Sequence, residues 1–161
     1  MKRQLAGVAA VVLAAALAAQ AGPTEEQQIE EVVAAVVEAY RTGDYSTLGR
    51  YYAGDVTAIP SDYSPPLEGW ANLEPRYRVA QAAFDHLELL RENTRVVRRG
   101  KVAWASYQWR LAGARGKEMV QALGHTTLVL EKRGRQWVIV HNHTSLVPLR
   151  PEPTPAAPPQ P

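Results

Sequence analysis

The apolar residues of this chain change their spacing once, after Asp85, and that change limits the possible folds more than any other feature. Before it they recur with the helical period; after it they alternate as in strands. In PTEEQQIEEVVAAVVEAYRTGD, residues 23–44, Ile29, Val32, Val33, Val36, Val37 and Tyr40 recur three and four apart, one stripe of a helix. Thr24 and Gln27 have capping-box spacing, acids fill the first turn, and Gly43 supplies a stop. DYSTLGRYYAGD, 44–55, predicts a shorter helix capped by Asp44 or Ser46 and ended by Gly54. VTAIP predicts a short strand and SDYSPPLEG a proline-rich loop. WANLEPRYRVAQAAFDHL, 70–87, predicts a third helix with Trp70, Leu73, Tyr77, Ala80 and Phe84 along one side. Four long runs follow, 87–100, 101–113, 117–134 and 135–148, punctuated by Gly100, Gly113 to Gly116, and Gly134. Helices first and a strand meander afterwards predict an α+β domain, with helices packed on one face of a mainly antiparallel sheet.

The two ends read differently. Residues 1–21 open with Lys2 and Arg3, continue through a short apolar run and end on Ala19-Gln20-Ala21. That is the pattern of a secretory signal peptide, too short for a span of roughly 20 apolar residues. It predicts cleavage after Ala21 and an exported product, periplasmic or secreted, with no membrane association after cleavage. No cysteine follows to carry a lipid anchor, and none occurs anywhere in the 161 residues. Thiol catalysis, thiolate metal sites and disulfides are thereby excluded. From Pro148, seven of the last fourteen residues are proline, so 150–161 is expected to be an extended, disordered tail. The folded domain is expected over 22–149.

Of 18 basic and 16 acidic residues, Lys2 and Arg3 belong to the leader, so the remainder balances. A near-neutral domain has no electrostatic footprint for nucleic acid, and the basic stretch 95–101 reads as a solvated turn.

The order of elements resembles the nuclear transport factor 2-like superfamily, in particular its SnoaL-like branch. The residues that carry the likeness are Gly43-Asp44-Tyr45, Tyr52-Ala53-Gly54-Asp55-Val56, and Gly134, Trp137 to Val140, His143 and Ser145 in the last hairpin. The calmodulin-dependent kinase association domain has a similar ending. The resemblance implies a cone of three helices on a curved sheet with a pocket at the open end, and dimerisation through the sheet. It implies functions that range from isomerases, cyclases and dehydratases to non-catalytic assembly modules.

Three of the four histidines fall in the last hairpin, which raises the question of what they face. A three-residue loop, Lys132-Arg133-Gly134, would put glycine at the left-handed position and Glu131 opposite Arg135. His125 would then pair with His141, Thr127 with Ile139 and Val129 with Trp137. One face would carry His125, Thr127, His141, His143 and Ser145 together with Val129, Trp137 and Ile139: polar at the mouth of a pocket, apolar at depth. Tyr40, Tyr63, Trp70, Tyr77, Trp104 and Tyr107 are candidates to line it. Two chemistries suit such a site. His141, His143 or His125 could transfer protons near neutral pH, as could Asp62 if an apolar pocket raised its pKa. The same groups could equally be structural. His-x-His alone is a weak metal signature, so neither metal nor cofactor is expected. The reading is an exported domain that binds a small, mostly apolar molecule, with cofactor-free proton transfer possible; a non-catalytic oligomeric module, self-filled at its centre, is the alternative.

Overall fold

The computed structural model describes residues 22–148. The expected leader (1–21) and the tail from 150 onward lie outside that range. The element order is α1 (Glu25–Thr42), α2 (Tyr45–Tyr51), β1 (Tyr52–Ile59), β2 (Leu67–Glu68), α3 (Trp70–Ala82), β3 (His86–Arg99), β4 (Val102–Arg115), β5 (Glu118–Arg133) and β6 (Gln136–Val147). Helix α1 starts with the capping box, Thr24 and Gln27 each satisfying the other's backbone N–H, and ends on Gly43 at φ 72°. Asp44 caps α2 by accepting from the Thr47 N–H at 3.0 Å. That helix stops at Tyr51, short of the expected Gly54, because the chain from Tyr52 already pairs with β6. Strand β1 is accordingly longer than VTAIP, and the two-residue β2 inside the proline-rich segment was not anticipated. Ala80 is exposed and Phe84 lies beyond α3, so only Trp70, Leu73 and Tyr77 of the expected stripe face the core.

The six strands are ordered β2-β1-β6-β5-β4-β3, antiparallel except for β1 against β6. All three helices cover one face. Ile29, Val33 and Val36 of α1 and Leu48 of α2 pack there on Ala103, Ala105, Leu128, Leu130 and Ile139. Trp137 is 3% exposed and its Nε1–H donates to Glu25 at 3.1 Å, joining the last strand to the start of α1. No helix of the described residues is long and apolar enough to cross a membrane.

The last hairpin corrects the expected register. Arg133 pairs with Gln136, so the loop is the two residues Gly134-Arg135, not three, with Gly134 at φ 64° in the first turn position. Leu130 pairs with Ile139 but Val129 with His141, which leaves Val140 unpaired as a β-bulge. Strand β1 makes its own excursion opposite the same point, between Tyr52 and Thr57. Asp55 in that excursion holds Arg133 through two bonds of 2.8 and 3.1 Å. The bulge turns over the rest of β6. Trp137 and Ile139 point to the helices, as do Asn142 and Thr144 beyond it. His141, His143 and Ser145 point to the opposite, outer face.

Candidate functional site

Two polar constellations result, one on each side of the sheet. Inside the cone, Asn142 is 6% exposed and its Nδ2 donates to Tyr52 Oη at 2.9 Å and to Tyr77 Oη at 2.6 Å. The two phenol oxygens lie 3.1 Å apart. Thr144 donates to Asn142 Oδ1 at 3.1 Å, and Thr126 stands 3.0 Å from Thr144. Aromatic rings enclose the group. Trp70 stacks on Tyr52 with centroids 5.1 Å apart, and Tyr40 meets Tyr77 edge-on at 5.3 Å. Tyr107 lies beside Thr126 on the neighbouring strand.

These tyrosines are strongly protonated groups. Burial is the main cause that pushes the Tyr52, Tyr77 and Tyr107 phenols well above their ordinary range, since a phenolate there would lose its hydration. Tyr40 shifts the same way for the same reason. None of the groups hydrogen-bonded in this cluster is a carboxylate or imidazole. The cluster can donate and accept hydrogen bonds. It has no group that changes protonation near neutral pH.

Tyr40, Trp70, Tyr77 and Tyr107 thus line the interior, whereas Tyr63 is fully exposed and Trp104 sits on the outer face. Sequence reasoning missed Tyr52, Thr126, Asn142 and Thr144. An asparagine between two histidines signals a buried polar partner only once the bulge is known.

On the outer face, His125, Thr127, Val129, His141, His143 and Ser145 do share a side, because the bulge restores the alternation that the shorter loop alone would have reversed. They are separated from the interior tyrosines by the thickness of the sheet, and Trp137 and Ile139 are not with them. His141 Nδ1 lies 2.7 Å from Thr57 Oγ1, and His125 Nε2 3.2 Å from Gln108 Nε2. Asp62 is also outside the cone. Its carboxylate accepts from Ser64, which is the first cause of its lowered pKa, and it pairs with Arg76. A base for carbon acids needs the opposite shift. No three His, Cys, Asp or Glu side chains of the described residues converge as a metal-holding group. An open groove of about 570 Å³ lies at the end of β1 and β6, lined by the 59–66 segment, including Tyr63, and by His143 to Leu146.

The profile of the SnoaL-like domain matches residues 29–150. The chain belongs to this family, and its fold is the nuclear transport factor 2-like cone. Solved structures agree. A proposed dehydratase of the nuclear transport factor 2-like family from Streptomyces avermitilis has a TM-score of 0.70 at 20% identity, covering 78% of this chain and 97% of its own. The calcium/calmodulin-dependent kinase II hub of S. rosetta gives 0.67 at 15% identity, with 79% and 100% covered. A proposed ketosteroid isomerase from Shewanella frigidimarina gives 0.61 at 17% identity, with 71% and 92% covered. No curated protein matches the sequence.

Proposed function

We infer that the domain is a non-catalytic association module that works as a homodimer through its outer sheet face. The observation that carries this reading is the polar centre of the cone: its amide and hydroxyls are hydrogen-bonded to one another, and its titratable groups are tyrosines held protonated. The histidines expected to transfer protons are on the other side, where they join Trp104, Val129 and Thr127 on an uncovered face. The likeness to a kinase hub supports the same reading. Sedimentation velocity on the chain from Gly22 onward tests it: a dimer is expected at micromolar concentration, converted to monomer by Trp104→Glu. A monomeric parent chain would sink the proposal.

A second reading rests on the phenol pair. Two phenol protons serve Tyr52 and Tyr77, and their mutual bond uses one. Among the described residues no further acceptor is bonded to that pair, so one proton is left for a guest carbonyl or hydroxyl. A small apolar ligand with one such acceptor would then bind between Tyr40, Trp70 and Tyr77. Titration with aromatic ketones, read by tryptophan quenching, tests this reading. Tyr77→Phe should weaken binding roughly 2- to 10-fold, the effect of one net hydrogen bond, and equal binding by both proteins would end it.

A further inference from the structure

The groove at the end of β1 and β6 meets the two constellations only at their rim, through His143 and Ser145 on the outer side and Thr144 on the inner. Its floor is the last part of β6, His143 to Leu146, and its wall is the segment Ile59 to Pro66. The pairing of β1 with β6 ends at Ile59 opposite His143, so the β6 edge beyond His143 opens directly into this groove. Pro60, Pro65 and Pro66 fix the backbone of the wall, so the groove exists before anything enters it. Tyr63 projects from the wall with its side chain entirely exposed, 102% of the reference, on a backbone at φ 62°. Left-handed backbone is uncommon outside glycine, and a bulky residue held there calls for a reason.

Because β1 and β6 run parallel, the wall and the C-terminal chain leave the sheet at the same end. The chain beyond Pro148 is LRPEPTPAAPPQP, thirteen residues with six prolines. At a polyproline rise of about 3.1 Å per residue it can reach roughly 40 Å from its point of exit. Prolines remove backbone donors but keep carbonyl acceptors, so this segment cannot extend the sheet along the open β6 edge. What it can use is apolar contact with rings and hydroxyl donors aimed at its carbonyls. The groove offers both: Tyr63, Ile59 and Leu146 for contact, and Ser61, Ser145 and the Tyr63 hydroxyl as donors.

We propose that residues 149–161 bind in cis across this groove, with prolines packed on the Tyr63 ring. The tail is a built-in occupant, and an outside proline-rich segment must displace it to bind. Attachment at the rim gives an effective concentration in the millimolar range, so a contact too weak to hold a free peptide suffices.

The chain has no native cysteine, so a single nitroxide can be placed in the tail of the intact protein as Ala157→Cys. In the bound arrangement, amide signals of Ser61 to Ser64 lose at least half their intensity, while the turns at Gly100 and Gly134 keep theirs. Adding Tyr63→Ala to the labelled chain restores the lost signals; substitution of so exposed a side chain leaves the fold intact. Attenuation spread evenly over the surface, or insensitive to Tyr63→Ala, overturns the proposal. So does attenuation seen only when labelled chains are mixed with isotopically enriched unlabelled ones, which would assign the occupant to a second copy.

Discussion

Asn142 is the residue on which the interior depends, because three hydroxyls take their orientation from its one amide. Asn142→Leu keeps the volume but leaves those hydroxyls short of a partner, and should cost about 1–3 kcal/mol in urea unfolding. An unchanged midpoint would mean that water replaces the amide. The phenols give the cluster a pH signature of definite sign. Their folded pKa values are raised, so the stability they confer is complete below the ordinary phenol range near 10 and is lost as pH rises from there towards the folded values. Melting temperatures should hold through neutral pH and fall above about pH 10, and Tyr52→Phe should flatten that fall. Trp137→Ala should cost about 3–5 kcal/mol, since it empties a buried site and leaves Glu25 with Lys132 as its remaining partner. Tyr40, Trp70, Tyr77 and Trp137 were legible in the sequence because large rings beside helical or strand apolar stripes have few other places to go. Asn142 and Thr144 were not: their face follows from a single unpaired valine upstream, and nothing in WVIVHNHTS marks which valine is skipped.

At the scale of elements, that valine is the informative one. Straightening the bulge with Val140 kept would pair Val140 with Val129 and turn Asn142 and Thr144 to the outside while carrying His141 and His143 into the core. Deleting Val140 instead removes the bulge and leaves every face as it is. The deletion variant should therefore keep a cooperative urea transition, at a cost of about 1–3 kcal/mol where β1 must readjust its own excursion. Val140→Ala should lose no more than about 2 kcal/mol. Loss of the transition on deletion would mean that the bulge itself is needed to seat β1. Close packing makes a second demand on β5. Gly124 lies under the Trp109 ring and a Cβ there would collide with it, so Gly124→Ala should destabilise by about 1–3 kcal/mol through overpacking. Helix α1 was readable to its last residue because its cap, stripe and stop agree. The short elements were not. The end of α2 and the whole of β2 are decided by tertiary pairing, Tyr52 with Ile139 and Glu68 with Thr57, and local composition is silent about either. The hairpin loop was misjudged for a related reason: glycine at positive φ suits a two-residue turn as well as a three-residue one, and only the arginine pairing to Asp55 and the bulge separate them.

For the whole molecule, the change of period at Asp85 was enough to give the α+β class, and the element order together with the hairpin ending pointed to the family. The one parallel pairing was beyond reach, because β1 and β6 are far apart in sequence and no local signal joins them. Removing residues 150–161 should shift the melting temperature by no more than about 2–4 °C, the equivalent of roughly 1 kcal/mol in a domain of this size. A larger drop would mean that the tail contributes to the core. The parallel pairing has a further consequence, for synthesis. The ribosome delivers β1 early and β6 last, and until β6 emerges the edges of β1 and β5 that it will cover are bare, as are Leu128 and Leu130 where Ile139 and Trp137 will close over them. A nascent chain stalled at Gly134 should therefore bind holdase chaperones and be cut readily by protease, while one extended past Pro148 should resist both.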